Sequence, residues 1–521
     1  MFDRDFLLKQ LEQNTVWDVI IIGGGATGLG VAIDSATRGY KTLLLEQSDF
    51  AKGTSSRSTK LIHGGVRYLA QGNLDLVKEA LYERGLLLKN ASHLVRNQSF
   101  IIPTYSWWDT FFYTFGLKTY DFFSGKLSFG KSEWISKTKT ASRLPTIKSE
   151  HLSGGVVYSD GQFDDARLAI NMAQTAIEQG ATVLNYVKVG GLQKDSQGQI
   201  KGVSAIDVET QHHYYLSTKV VINATGVFTD DILQMDDPEA KHTVRPSQGI
   251  HLVFDRSILS GNDAVMIPKT VDGRVLFLVP WHNRVVVGTT DTLVERHQLE
   301  PEPLENEVDF ILNTLNTYLK VKVTKADVLS QFAGLRPLAA PKNASEKTKE
   351  ISRSHKVIVS ASDLITITGG KWTTYRRMAQ DTINKAIALG KLPKKVCVTE
   401  KLSIHGADGS ADDTDHLYIY GTDQKFIEAL IEEAPELGEK LHPRLEFLKA
   451  EVVWAIKNEM ARTIEDVLAR RVRILFLDAR AALEVAPIVT ELFGKYLGKN
   501  AEWQHLQLQE FKKLAERYIL K

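Results

Sequence analysis

The chain has 521 residues, more than the roughly 250–300 that one hydrophobic core supports, so two or three domains are expected. Hydrophobic residues make up 43% and charged residues 24%, which excludes disordered, collagen-like and coiled-coil proteins. Lys and Arg total 64 against 63 Asp and Glu, and this balance gives no support to nucleic-acid binding.

Targeting and redox signals are sparse. The single cysteine, Cys397, excludes an intrachain disulfide and a thiolate metal cluster, and we predict no metal site and a reducing compartment. No apolar run approaches the roughly 18 residues of a membrane span. The first 16 residues contain acids and match neither a signal peptide nor a transit peptide. The spacing of Phe2, Phe6, Leu7 and Leu11 instead predicts a short amphipathic helix packing on the body.

The next segment carries a dinucleotide-binding pattern. Apolar residues 17–22 predict a buried parallel strand, and GxGxxG follows with Gly23, Gly25 and Gly28 in frame. A helix over about 26–37 and a strand over 41–46 come next. The glycines allow a tight turn, approach to a pyrophosphate and close helix–strand packing, and the helix N-terminus favours phosphate.

The acid that ends the second strand refines the cofactor. Glu46 lies where a carboxylate can accept hydrogen bonds from ribose hydroxyls, and an acid there disfavours the 2′-phosphate of NADP. These features alone do not distinguish FAD from NAD. Residues 53–68 that follow are dense in hydroxyls, glycines and cations, which can bind further phosphate oxygens and let backbone approach a flat ring.

Six motifs in order resemble those of the FAD-dependent glycerol-3-phosphate dehydrogenases. They are GTSSRSTKLIHGGVRY at 53–68, YSDGQFDDARL at 158–168, NATG at 223–226, GTTDT at 288–292, GLRPL at 334–338 and TGGKWTTYR at 368–376. The resemblance runs from the first strand to the last helices, and it implies FAD as the cofactor. The residues expected to bind FAD are Gly23, Gly25, Ala26, Thr27, Gly28, Glu46, Thr54, Ser55, Ser58, Lys60, Leu61, Ile62, Val187, Ala224, Gly226, Gly369, Gly370, Lys371, Trp372 and Thr373.

The resemblance also implies an α/β (α+β overall) fold. A glutathione-reductase-like FAD-binding Rossmann domain would be interleaved with an antiparallel-sheet substrate domain, and a C-terminal helical cap would follow. The expected divisions are 1–75, 155–240 and 355–390 for the FAD domain, 76–154 and 241–354 for the substrate domain, and 400–521 for the cap.

Two further patterns predict local structure. Residues 275–280 and 284–288 flank a polar turn and predict a β-hairpin. In the cap, residues 447–461 and 464–483 have helical periodicity, and Thr463 with Asp466 resembles a capping box. Leu468, Val472, Leu475 and Phe476 would then face the core.

The resemblance implies oxidation of sn-glycerol 3-phosphate to dihydroxyacetone phosphate. For the phosphate we select Arg336, Arg353 and Lys371, because Arg offers a planar fork and Lys a point charge. We also count Arg336 as catalytic, and Arg67 and Tyr68 as further substrate-binding residues. For the catalytic base, His63 and His251 both remain candidates, because an imidazole titrates near neutrality.

The expected electron acceptor is a membrane quinone, ubiquinone or menaquinone. Residues 100–134 hold 13 aromatics in 35 positions, against 9% for the chain, and Lys118, Lys126 and Lys131 lie among them. Such a composition suits a membrane interface, but an aromatic core or dimer contact explains it equally well. We therefore expect a cytoplasmic protein attached peripherally to the inner face of the cytoplasmic membrane, and a homodimer.

Three alternatives stay open at this stage. A soluble glycerol-3-phosphate oxidase, which reduces oxygen to hydrogen peroxide, shares every motif above. An amino-acid oxidase or demethylase on the same fold is disfavoured, because a carboxylate does not need three cations. A flavin-binding redox sensor without turnover is disfavoured by the polar motifs around His63 and Lys371.

Overall fold

Two β-sheets organise the chain, and the computed structural model describes residues 2–13, 15–64, 74–124, 130–270, 273–339, 354–408 and 415–521. Within these residues the strands are β1 (Trp17–Ile22), β2 (Thr42–Leu45), β3 (Leu61–Ile62), β4 (Arg96–Thr104), β5 (Glu133–Ser136), β6 (Gly154–Gln162), β7 (Thr182–Leu184), β8 (Val187–Lys194), β9 (Ile200–Asp207), β10 (His213–Asn223), β11 (Val244–Asp255), β12 (Ala264–Ile267), β13 (Leu276–Trp281), β14 (Arg284–Gly288), β15 (Thr292–Leu293), β16 (Val328–Ala339), β17 (Lys356–Val359) and β18 (Ile365–Thr368).

The α-helices lie on and beyond these sheets. In chain order the described ones are α1 (Arg4–Lys9), α2 (Ala26–Thr37), α3 (Leu74–Asn90), α4 (Trp107–Ser124), α5 (Lys137–Arg143), α6 (Asp165–Glu178), α7 (Thr229–Asp236), α8 (Glu305–Tyr318), α9 (Tyr375–Ala388), α10 (Gln424–Glu433), α11 (Lys449–Asn458), α12 (Ile474–Leu477), α13 (Ala479–Leu497) and α14 (Ala501–Ala515).

The first sheet is the nucleotide-binding sheet that the sequence predicts. Its order is β17-β18-β10-β1-β2-β7, parallel from β18 to β7, while β17 and the β8–β9 pair add antiparallel strands. Strand β1 is central, and Ile20 and Ile21 are fully buried because helices cover both faces of such a sheet. Helix α2 spans the predicted residues, so the β1–turn–α2–β2 prediction is confirmed.

The second sheet is antiparallel except where β12 runs parallel to β4. Its order is β15-β11-β14-β13-β12-β4-β6-β3, with β16 beside β11 and β5 beside β6. Strands β13 and β14 form the predicted hairpin. Strand β6 belongs to this sheet, although residues 155–162 fall within the predicted FAD domain. The predicted domain boundaries themselves stay a prediction.

The C-terminal helices share one continuous apolar cluster with the first sheet. Thr463 and Asp466 form the predicted reciprocal cap, and Leu468, Val472, Leu475 and Phe476 are buried as predicted. Most residues of the periodic stretch 464–483 are helical, but they do not form one continuous helix. A π-helical turn at Asp466–Arg471 leads to Arg473 in the left-handed region at φ 60°, which ends the helical path before α12.

The surface helices α1 and α4 expose large aromatic side chains. Leu7 in α1 and Leu11 just beyond it are buried as predicted, whereas Phe6 is 59% exposed and faces away from the body. Helix α4 presents Trp107, Trp108, Phe111, Phe112 and Phe115, each 61% to 67% exposed. No helix among the described residues is long and apolar enough to cross a membrane.

Candidate active site

The glycine turn after β1 is shaped for a group that must approach the backbone. Gly23 has φ +110°, and a Cβ there would lie 2.8 Å from the Ala224 carbonyl oxygen. A Cβ on Gly28 would collide with the Gly23 carbonyl, so α2 packs closely on β1. The N-terminus of α2 therefore faces the cavity through Ala26 and Thr27, as a pyrophosphate requires, and the Ala26 amide donates to Ser55 Oγ at 2.9 Å.

Glu46 ends β2 at the other side of this turn. Its Oε2 accepts a hydrogen bond from the Gly24 amide at 2.7 Å, and Oε1 accepts from the Ser48 amide at 2.8 Å. Desolvation raises the pKa of the carboxyl, and these two amides partly offset that effect. Each oxygen keeps a second lone pair, so Glu46 is able to accept from ribose hydroxyls as well.

A cavity of about 450 Å³ runs from the glycine turn to the turn after β18. The predicted cofactor residues in its wall are Gly23, Gly25, Ala26, Thr27, Glu46, Thr54, Ser55, Ala224, Gly226, Gly369, Gly370, Lys371 and Trp372. Their clustering, from five separate segments, fits an extended dinucleotide such as FAD. Gly28, Ile62 and Val187 lie outside the wall, and Lys188 and Val189 line it in place of Val187.

A second cavity of about 220 Å³ adjoins the first and shares Thr54, Pro337 and residues 369–372 with it. It gathers the predicted residues Ser58, Leu61, His63, His251, Arg336, Lys371 and Thr373. Gly369 and Gly370 both have φ +77°, so the turn that separates the two cavities adopts a conformation that favours glycine. The predicted substrate groups therefore face the place where the first cavity ends.

His251 is the buried imidazole of the second cavity. It lies in β11, stacks on Phe332 at 4.8 Å between ring centroids, and its Nε2 is 2.9 Å from Thr59 Oγ1. Burial, and then the charges of Lys60 and Arg336, lower its pKa well below the usual value. His251 is thus neutral at physiological pH, the form that can accept a proton. Its Nδ1 has no partner among the described residues.

Arg336 reaches the same cavity from β16. Its Nη1 donates to the Gln248 carbonyl at 3.3 Å, and its Nη2 donates to Thr289 Oγ1 at 3.1 Å and to the Thr290 carbonyl at 3.0 Å. These bonds fix the guanidinium plane at the cavity wall. Lys371 lines both cavities. The other predicted substrate residues, Arg67, Tyr68 and Arg353, lie outside the described residues.

Lys60 is placed differently from its predicted neighbours. Its side chain is fully buried, away from both cavity walls, and Nζ donates to Asp165 Oδ2 at 2.7 Å and to the Ser56 carbonyl at 2.7 Å. Burial and the nearby charge of Arg473 lower the pKa of Lys60 to about 7, with Asp165 opposing them. Lys60 therefore stabilises segment 54–61 on the side that faces away from the two cavities.

Sequence reasoning missed two residues here. Thr59, the partner of His251, lies between predicted residues of one motif, and its position in that motif was the only available signal. Asp165 is the second of the two adjacent aspartates in YSDGQFDDARL. Its pairing with Lys60, 105 residues away along the chain, has no sequence signature.

Family models match almost the whole chain. The model described as FAD dependent oxidoreductase matches residues 18–376, and the model described as C-terminal domain of alpha-glycerophosphate oxidase matches residues 361–504. The first match contains every described residue of both cavities.

Similar proteins agree with these models. The chain is 41% identical to a probable mitochondrial glycerol-3-phosphate dehydrogenase of Caenorhabditis elegans, over 97% of this chain and 74% of the relative. It is 40% identical to the mitochondrial enzyme of Rattus norvegicus, over 99% and 75%. The crystal structure of a Bacillus halodurans glycerol-3-phosphate dehydrogenase complexed with FAD superposes with a TM-score of 0.80 at 27% identity, over 100% and 99%. The chain therefore belongs to the FAD-dependent glycerol-3-phosphate dehydrogenase family, which confirms the predicted resemblance, fold class and cofactor.

Proposed function

We propose that this protein oxidises sn-glycerol 3-phosphate to dihydroxyacetone phosphate with FAD as its cofactor. The observation that carries the proposal is the second cavity, where Arg336, Lys371 and the neutral His251 meet beside the Gly369–Gly370 turn. The names of the relatives support the same substrate. A phosphate ester with a neighbouring secondary hydroxyl needs cations at one end and a proton acceptor at the other.

The residues divide this work between them. Arg336 and Lys371 bind the phosphate dianion. The Gln248 carbonyl and Thr289 accept hydrogen bonds from the Arg336 guanidinium and fix its plane, which suits two-pronged binding of phosphate oxygens. His251 accepts the C2 hydroxyl proton through a ring nitrogen, and Thr59 fixes its orientation. His63, in the same wall, is the other candidate for the base. FAD, when bound, supplies the acceptor for the C2 hydride.

Replacing Arg336 with glutamine tests the phosphate clamp. A hydrogen bond to a charged group contributes about 1.5–3 kcal/mol, so KM for glycerol 3-phosphate should rise about 10- to 150-fold. The matched control is Arg517→Gln, because Arg517 is half exposed and pairs only loosely with Glu302 at 3.5 Å. An unchanged KM in Arg336→Gln would remove Arg336 from the substrate site.

The electron acceptor is proposed to be a quinone, ubiquinone or menaquinone, in a membrane that the protein binds peripherally at its cytoplasmic face. Helix α4 supports this proposal. Leu117 and Tyr120 anchor it inward, and the Tyr120 hydroxyl donates to Asp160 at 3.2 Å, so its five exposed aromatics face solvent. Lys118 on the same helix is exposed, as is Lys131 beyond it, and such cations favour binding to anionic lipid. Lys126 and the side chains of Phe122 and Phe123 lie outside the described residues.

A vesicle-binding assay tests this surface. Trp107→Ala/Phe111→Ala/Phe112→Ala should lose binding to vesicles that contain anionic lipid, while remaining folded. The matched control is Phe6→Ala/Tyr215→Ala/Phe426→Ala, which removes three aromatics that are 50% to 77% exposed elsewhere. Equal binding by both triple variants would eliminate α4 as the docking element.

Sedimentation of the same proteins without lipid tests the proposed homodimer.

Oxygen is the alternative acceptor. The C-terminal model carries the name of an alpha-glycerophosphate oxidase, which favours this second candidate. An oxidase would release one hydrogen peroxide for each substrate oxidised in air, and it would need no membrane surface. Measuring peroxide yield per turnover separates the two acceptors.

A further inference from the structure

Segment 54–61 contributes residues to the walls of both cavities. A residue from the C-terminal helical region, Arg473, binds this segment on the side that faces away from the cavities. Arg473 is fully buried. Its Nη2 donates to the Ser56 carbonyl at 3.1 Å and to Asp165 Oδ1 at 3.0 Å. Its guanidinium lies 5.2 Å from the Trp281 ring and 4.6 Å from the Phe476 ring. One side chain therefore links the C-terminal region to the pocket-lining segment 54–61.

Asp165 is the hub of this arrangement. It stands at the N-terminal end of α6 and accepts bonds from the Ser58 amide at 3.0 Å, the Ser58 hydroxyl at 2.7 Å and Lys60 Nζ. Ser58 lines the second cavity, and the next residue, Thr59, contacts His251. A shift of Asp165 would thus reach the cavity wall within one or two residues.

The backbone at Arg473 supports a specific role for this side chain. A non-glycine residue at φ +60° is uncommon and carries strain that its surroundings must impose. The strained position lies two residues after the end of a π-helical turn, a feature found often at functional sites. At this position the Arg473 side chain points inward, and Asp165 and the Ser56 carbonyl accept its hydrogen bonds.

We propose that Arg473 is a positioning residue, which holds the FAD- and substrate-lining segment 54–61 in place through Asp165 and the Ser56 carbonyl. It acts behind the wall and touches neither cavity. The proposal rests on FAD binding and not on the identity of the substrate. FAD affinity therefore tests it independently of glycerol 3-phosphate turnover.

The test is a double-mutant cycle on FAD affinity, measured by titrating FAD into the apoprotein. Arg473→Gln should raise the FAD dissociation constant about tenfold, and Ser58→Ala should raise it less. The double variant should be no weaker than Arg473→Gln alone, because both changes act through Asp165. Arg473→Lys should recover part of the affinity and the native flavin absorption spectrum, because it keeps the charge but not the planar fork.

Arg462→Gln is the matched control. Arg462 is a largely buried arginine of the same region, it pairs with Glu209 at 2.7 Å, and neither residue lines a cavity. It should leave FAD affinity unchanged and add independently to Ser58→Ala. An effect of Arg462→Gln equal to that of Arg473→Gln, or additive effects of Arg473→Gln and Ser58→Ala, would overturn the proposal. If Arg473→Gln does not fold, the same cycle is run with Arg473→Lys and decides in the same way.

Discussion

Replacing Gly370 with alanine should weaken FAD binding by displacing the turn between the two cavities. Gly370 has φ +77°, and a Cβ there would collide with the sulfur of Met378, which is 2% exposed. Alanine in this left-handed conformation costs about 1–2 kcal/mol. Since Met378 is enclosed, relief of the contact requires its side chain to repack or the turn to move.

The loss of FAD affinity is set by the cost of returning the displaced turn to its native position when FAD binds. Overpacking in an enclosed site costs about 1–3 kcal/mol, and binding FAD in its native position would reimpose that cost. The FAD dissociation constant should therefore rise about 5- to 150-fold. The free energy of unfolding of the apoprotein should fall by only about 1–2 kcal/mol, because the free turn can relax.

Gly390→Ala is the matched control. Gly390 has φ +70° at the end of α9, nothing lies within 4 Å of a Cβ there, and it lines neither cavity. It should cost the same backbone strain, measured by urea unfolding, without changing FAD affinity, measured by flavin fluorescence on titration into apoprotein. Equal FAD affinity in Gly370→Ala and Gly390→Ala would refute this account of the turn.

Two further predictions concern buried charges. Asp49→Asn should lower the free energy of unfolding by about 3–5 kcal/mol in chemical denaturation, because it leaves the buried Arg470 and Arg471 without their shared carboxylate; a loss below 1 kcal/mol would contradict this. His405 has its pKa raised to about 9: burial lowers it, but the hydrogen bonds that the imidazolium donates to Asp423 and Glu178 outweigh burial. Its stabilisation is complete below the unfolded pKa of about 6.5 and is lost as pH rises through about 9, so unfolding titrations should show a decline of up to about 2 kcal/mol there that His405→Gln lacks.

Much of the fold could be predicted from residues that lie close together in the sequence. The glycine spacing after β1, the length of α2 and the hairpin of β13 and β14 were predictable because each depends on residues close in sequence. The Thr463–Asp466 cap belongs to the same class. Both cavities also brought together most of the residues that the motifs suggested.

The remainder depends on partners distant in the chain. Residues 464–483 have uninterrupted helical periodicity, so nothing local marks the break at Arg473, which exists because Asp165 and Ser56 receive the side chain. Lys60 was predicted beside the cofactor, and tertiary pairing with Asp165 turned it away. Phe6 has core-like spacing, but α1 lies on the surface, where Leu7 faces the core and Phe6 faces solvent.

The most direct measurement is an anaerobic titration of the FAD-loaded protein with sn-glycerol 3-phosphate, followed by flavin absorbance. The account predicts stoichiometric loss of the oxidised flavin band with glycerol 3-phosphate and none with glycerol, which lacks the phosphate that Arg336 and Lys371 would bind. Subsequent recovery should be fast with quinone-loaded vesicles and slow in air. An oxidised spectrum that glycerol 3-phosphate leaves unchanged would contradict the proposed reaction.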